Sequence, residues 1–272
     1  MKVMFFSKHL GDLSVAKAGE VIAELGFEGV DLTVRPGGHV LPENARRELV
    51  GAIRTLTGMG LAVPMITTGI TSADDPHAAE IFESAAQAGV RYLKLGYWRY
   101  QGFGTIRAVI DAAARDLDGI ETLARRTGLC AVIHNHSGDY VSALGPVVWE
   151  LIADRDPATV GAYADPGHLM VEGGLGGWRM VLDLLGDRIA VCAFKDYLWE
   201  TVADQAGKPR LVRTAKPLSE GMVPWPEVVS YLRQAGFDGW ISLHREYGAQ
   251  TTEAVQADVP HDLAYLRAIL AG

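Results

Sequence analysis

The sequence predicts an α/β protein, a single-domain (β/α)8 barrel over residues 1–272. Three observations lead there. Short β-rich apolar runs alternate with amphipathic helical stretches along the whole chain, eight times over. A closing phrase recurs after the helices: Ala23-Glu-Leu-Gly-Phe-Glu-Gly-Val30 and Arg233-Gln-Ala-Gly-Phe-Asp-Gly-Trp240 are near copies, with looser versions at Ala86–Val90 and Arg126–Leu129. A glycine just past the last helical turn tolerates the left-handed cap conformation. Finally, several apolar runs end abruptly in ionisable residues, where a barrel carries its chemistry. A doubly wound open sheet is the alternative, but Ser7-Lys-His-Leu-Gly11 is not the glycine-rich phosphate turn that fold usually shows after its first strand.

The elements follow in order. Val3–Ser7 is a first strand, and Ser14–Leu25 a helix with Val15, Ala18, Ile22 and Leu25 on one face. Val30–Val34 is a second strand, and Pro42 opens a helix to about Gly60. Leu61–Thr67 is a third strand; Asp74-Asp-Pro76 starts the helix that ends at Gly89. Val90–Gly96 and Leu129–His134 are the fourth and fifth strands, flanking a long helix over Ile106–Arg126. Pro146–Ala153 and Gly177–Leu185 are helices on either side of a sixth strand, Val160–Asp165. Ile189–Phe194 is the seventh strand. The long stretch Tyr197–Val223 reads as a loop, an ordered lid anchored by Trp199 and Trp225. Pro226–Ala235, the strand Trp240–Leu243 and a last helix over Pro260–Leu270, starting as early as Thr252, complete the barrel.

Composition narrows the function. With 25 basic against 33 acidic residues the net charge is −8, and no basic block is present, which argues against nucleic acid as a partner. Cys130 and Cys192 each sit in an apolar run and read as core residues of a reducing compartment. The N-terminus is too weakly apolar for a signal peptide, and no run is long enough to span a bilayer, so a soluble cytoplasmic protein without membrane contact is expected.

The strand ends supply the candidates. The first gives Lys8 and His9; the second Asp31, Thr33 and Arg35; the third Thr67; the fourth Lys94, Tyr97 and Trp98. The fifth gives His134 and His136, the sixth Asp165 and His168, the seventh Lys195 and Asp196, the eighth His244 and Glu246. Ionised groups closing buried strands are costly unless they meet water, a metal or each other. Carboxylates and imidazoles from three strands are a usual ligand set for zinc, manganese or cobalt, and a carboxylate beside such a centre moves a proton; Glu246 is the candidate base. Plainer readings exist: His39 as a surface or capping histidine, Asp196 as a cap or ion pair, and Trp98, Trp199 and Trp225 as packing residues as readily as sugar platforms.

On Asp165-Pro-Gly-His168, Phe194-Lys-Asp196, Leu218-Ser-Glu-Gly-Met-Val-Pro-Trp225 and Ile241-Ser-Leu-His-Arg-Glu246, the chain resembles the xylose isomerase-like TIM-barrel superfamily of sugar phosphate isomerases and epimerases. The resemblance covers essentially the whole chain. It implies a divalent metal (Mn, Mg, Co or Zn) held by four residues, of which Asp165 and Glu246 match, and a substrate contact at His168. Two positions depart: His134 stands where the family has a glutamate, and Ala193 where it has a histidine. The expected metal ligands are therefore Asp165, Glu246 and His134, with Lys195 as the competing source of positive charge. Catalysis is expected from Glu246, Lys195 and His134, and substrate contacts from His168, His9, Arg35, Trp98, His136, His244 and Trp199. The activity implied is an isomerase, epimerase or lyase/dehydratase working on a keto-sugar or polyol, unphosphorylated because no phosphate-binding glycine turn follows strands seven or eight. A sugar-binding or regulatory protein on a retired scaffold is the alternative. A barrel nuclease is disfavoured by the acidic balance. The oligomeric state stays open, with a homodimer the form considered.

Overall fold

A computed structural model describes all of residues 1–272. Eight parallel strands close into a barrel: β1 (Lys2–Phe6), β2 (Gly29–Val34), β3 (Ala62–Thr68), β4 (Tyr92–Lys94), β5 (Cys130–His134), β6 (Val160–Ala164), β7 (Ile189–Phe194) and β10 (Trp240–Leu243). β1 pairs with both β2 and β10, in registers such as Phe6 opposite Asp31 and Phe5 opposite Leu243, so no edge is left open. Helices α1 (Val15–Glu24), α2 (Ala45–Gly58), α3 (Ala78–Gln87), α4 (Ile106–Thr127), α5 (Gly145–Ile152), α6 (Pro166–Leu185), α7 (Trp225–Gln234) and α8 (Thr252–Ala271) surround it. The expected barrel is thus the observed one. No helix is long and apolar enough to cross a membrane.

The local chemistry explains the boundaries. Ser14 and Thr251 accept the backbone N–H three residues on, capping α1 and α8. Gly128 ends α4 in the left-handed region at φ 74°. The strands are buried on both faces, which is why they read as nearly unbroken apolar runs. One face packs on the helices in a cluster of 63 buried residues; the other fills the barrel interior with Met4, Met65, Cys130, Val132, Tyr163, Val191 and Ala193. Cys130 and Cys192 are free and buried, as expected.

The stretch after β7 differs from expectation. In place of a lid loop there is an antiparallel hairpin, β8 (Asp196–Ala203) with β9 (Pro209–Lys216), in a register that sets Trp199 opposite Arg213. The alternating Tyr-Leu-Trp-Glu-Thr-Val and Leu-Val-Arg-Thr patterns fit a two-stranded ribbon. α6 also starts earlier than expected, at Pro166, because Asp165 caps it; a non-helical Gly174 separates this first part from the expected helix. α8 takes the early start, with Pro260 inside it.

Candidate active site

Side chains of a strand alternate between its faces, so inward-pointing residues come two apart. Rising from the apolar interior toward the carboxyl ends, this places Lys94 above Tyr92, His134 above Val132, Asp165 above Tyr163, Lys195 above Ala193 and His244 above Ser242. The outcome is a cavity at the carboxyl end of the barrel. Phe6, Lys8, Arg35, Thr67, Lys94, Tyr97, His134, His136, Tyr140, Tyr163, Lys195, His244 and Glu246 line it.

Asp165 lies at its base, fully buried. Its Oδ2 accepts from the Lys195 ammonium at 3.0 Å and from His134 Nε2 at 2.9 Å. Its Oδ1 accepts the His168 backbone N–H at 3.0 Å, and Asn135 bonds its main chain on both sides. The Pro-Gly turn is required here: a Cβ on Gly167 would lie 2.3 Å from the Lys195 carbonyl oxygen. Because a carboxylate only accepts, His134 carries its proton on Nε2, leaving Nδ1 to accept from the Tyr97 hydroxyl at 3.0 Å. Burial opposes a charge on Lys195, but the attraction of Asp165 outweighs it and holds the ammonium above the ordinary lysine range. Burial first, and then the charge of Lys195, press His134, His168 and His244 well below the usual histidine value, so all three are neutral imidazoles.

A second chain of bonds runs to β2 and β3. His244 Nδ1 faces Lys195 Nζ at 3.5 Å, and its Nε2 meets Tyr163 at 2.9 Å and Ser242 at 3.1 Å. Ser242 and Thr67 donate in turn to the two oxygens of Asp31, at 3.0 and 2.7 Å. Burial raises the Asp31 carboxyl to about 6 against those bonds. Glu246 stands across the cavity with Oε2 on Lys8 at 3.0 Å and Oε1 at 3.9 Å from His244. Burial alone would raise its pKa; Lys195, His9 and Lys8 together pull it down to about 2, so it is a carboxylate.

The structure brings Lys195, His134, His136, His244, Arg35 and Glu246 to the cavity wall, with Asp165 and His168 directly behind. Three expected substrate contacts lie elsewhere. Trp98 turns outward and donates to Asp116 on α4 at 2.9 Å. Trp199 projects from the hairpin, 42% exposed and outside the cavity lining. His9 is buried beside Phe5 and Phe6, with Nδ1 on Gln250. Each follows from the same cause: a residue placed by its distance from a strand end has no fixed direction once the strand pairing stops. Asp196 proves to be an anchor. It accepts the N–H groups of Tyr197, Met222 and Val223 and the Trp225 indole, tying the hairpin base to the start of α7. Tyr163, Tyr140 and Ser242 are site residues the sequence reading missed; the two-residue alternation back from Asp165 and His244 points to Tyr163 and Ser242, and no pattern marks Tyr140.

His134, Asp165 and His168 offer three donor atoms within 4.8 Å of one another. His168 Nε2 is buried without a partner, 3.8 Å from Asp165 Oδ2, while its Nδ1 meets Ser137 at 2.8 Å. This set does not fit a divalent cation. Its one carboxylate already carries the Lys195 ammonium at 3.0 Å, and a second cation there would sit against a full positive charge. Position 193 contributes only a methyl group to the barrel interior, and Glu246, expected as a ligand, is engaged by Lys8 outside the group.

Fold and site together define a barrel protein whose polar centre is assembled from the carboxyl ends of its parallel strands. The family model described as "Xylose isomerase-like TIM barrel" matches residues 20–269, and the chain belongs to that family. Solved structures share the fold at low identity. D-psicose 3-epimerase with D-tagatose from Clostridium cellulolyticum H10 is 13% identical, with a TM-score of 0.76 over 99% of each chain. The 3-keto-D-glucoside 4-epimerase YcjR from E. coli is 15% identical, with a TM-score of 0.73 over 98% of this chain and 99% of that one. The probable 3-DHS dehydratase AsbF from Bacillus anthracis is 16% identical, with a TM-score of 0.70 over 98% and 99%. The sequence has no significant match among curated proteins.

Proposed function

We propose that the protein is a carbohydrate isomerase or epimerase that moves a proton next to the carbonyl of a keto-sugar, with Lys195 in the place of a metal. One observation carries the reading: a buried ammonium, fixed on Asp165 at 3.0 Å, faces the same cavity as the ionised Glu246. The substrate carbonyl oxygen accepts from Lys195, which stabilises negative charge as it develops on that oxygen. The neighbouring C–H is thereby acidified and Glu246 takes its proton. A carboxylate held as low as about 2 is a weak base, so the reaction depends on that acidification. Return of a proton to the same carbon from the other face, delivered by water in the cavity while Glu246 passes its own proton to solvent, gives an epimer. Return to the former carbonyl carbon gives the isomer, and loss of a hydroxyl one carbon further on gives a dehydration. His134, neutral and held between Asp165 and Tyr97, orients the carboxylate under Lys195. Two of the structurally similar proteins are named as epimerases of keto-sugars or keto-glycosides and one as a dehydratase, which supports this range of reactions.

Incubating the enzyme with keto-sugars in deuterated water and following C–H exchange by NMR tests the reading. Exchange beside the carbonyl is expected, falling at least ~100-fold in Glu246→Gln, the scale of one general base, and comparably in Lys195→Met. Chelator leaves it unchanged. Tight sugar binding without any exchange sinks the catalytic reading and leaves a binding protein on this scaffold.

A further inference from the structure

The cavity wall carries four basic side chains, Lys8, Arg35, Lys94 and Lys195, in a chain whose net charge is −8. Two are matched: Lys195 by Asp165 and Lys8 by Glu246. Arg35 and Lys94 are not. Neither side chain makes a hydrogen bond or an ion pair with any carboxylate; Arg35 lies over the Phe6 ring and Lys94 over the Tyr97 ring, 3.5 Å from its centroid. Lys94 is 2% exposed. The remaining carboxylate nearby, Asp31, has both oxygens taken by the hydroxyls of Thr67 and Ser242. A buried lysine facing a cavity beside an unpaired arginine is costly by itself, since both desolvation and repulsion oppose its charge. Those forces push the Lys94 amine well below its usual range: burial first, then Arg35. Such an arrangement persists where a ligand supplies the missing negative charge. An arginine fork with an ammonium beside it is the geometry that receives a carboxylate or phosphate.

We infer that the substrate carries an oxyanion, a carboxylate or a phosphate, that binds between Lys94 and Arg35 while its carbonyl lies at Lys195. This rests on the proposed sugar chemistry for the carbonyl end alone; the anion site stands on the two unpaired cations. A carboxylate sugar agrees with the unphosphorylated substrate expected from the sequence, and a sugar phosphate departs from it.

Calorimetric titration at low ionic strength tests it, with malonate, inorganic phosphate, D-fructose, D-fructuronate and D-fructose 6-phosphate as probes. Malonate or phosphate binds the wild type with an affinity that falls as salt is added. The preference for an acidic sugar over D-fructose is at least tenfold, and it collapses in Lys94→Gln and in Arg35→Gln. Which of fructuronate and the 6-phosphate binds tighter identifies the oxyanion. If no anion binds better than D-fructose, or if both variants keep the preference, the inference is wrong. Borohydride trapping of a keto compound on Lys94 also overturns it, because the residue would then act as a neutral amine. Simple anions that bind through Lys94 and Arg35, with no sugar bound or exchanged, leave the anion site standing and remove the isomerase reading. Sugar exchange without anion preference does the reverse.

Discussion

Replacing Lys195 by Met is the most informative perturbation of this molecule. The ammonium is 2% exposed and lies 3.0 Å from a carboxylate that is itself fully buried. Removing one partner of such a pair strands the other charge, at a cost of about 3–5 kcal/mol. Asp165→Asn added to Lys195→Met removes the stranded charge, so the double variant should recover a coupling energy of at least ~1 kcal/mol. Urea unfolding of the four proteins of this cycle reads both values. The same substitution frees His134, Asp165 and His168, whose donor atoms fall within 4.8 Å of one another, from the ammonium beside them. Lys195→Met should therefore gain zinc affinity, seen as a rise in unfolding midpoint with added zinc that the wild type lacks. Stoichiometric zinc in wild-type protein, or a Lys195→Met cost below ~1 kcal/mol, would refute the view that the lysine is the resident cation.

Other consequences follow from the same network. His9 and His136 are held at about 4, by burial foremost, against an ordinary value of 6.5. The native state keeps them neutral while the unfolded chain takes up protons, so their stabilisation is complete above about pH 6.5 and is lost as pH falls toward 4. At pH 5 each has given up roughly 2 kcal/mol, so the fall in unfolding midpoint between pH 8 and pH 5 should be about 5 °C smaller in His136→Gln than in the wild type; an equal fall in both proteins contradicts the assignment. Lys94→Met removes a buried amine that has no hydrogen-bonding or ion-pair partner and should raise the unfolding midpoint of the ligand-free protein while weakening anion binding; a lower midpoint would show that Lys94 is satisfied within the protein. Asp196→Ala deprives three backbone N–H groups and an indole of their acceptor and should cost at least ~3 kcal/mol in urea unfolding.

The barrel was legible because its signals are local. Helix periodicity, capping residues and the glycine that ends each helix are written within a few residues of one another, as in Leu25-Gly26-Phe27 and Ala235-Gly236-Phe237. The hairpin after β7 was missed because a two-stranded ribbon carries no buried face strong enough to stand out from a polar loop. Among site residues, those on or directly after a strand, His134, Asp165, Lys195 and His244, landed where the two-residue alternation requires. Those further along, Trp98 and Trp199, did not, since nothing in the sequence sets the path of the chain beyond the last ladder bond.

By itself the sequence determined that Asp165 and Lys195 directly follow apolar strands, with His168 and Glu246 a few residues beyond strand ends, and that position 193 is an alanine. Whether a metal or a lysine neutralises Asp165 was undetermined, because that depends on the reach of a flexible side chain across two neighbouring strands. The tertiary structure lays the Lys195 ammonium on Asp165 and engages Glu246 with Lys8, which is the ground for proposing the lysine in the metal's place. It alone showed that Lys94 and Arg35 face one cavity with no carboxylate bonded to either, since residues 59 positions apart share an electrostatic environment only once the barrel closes.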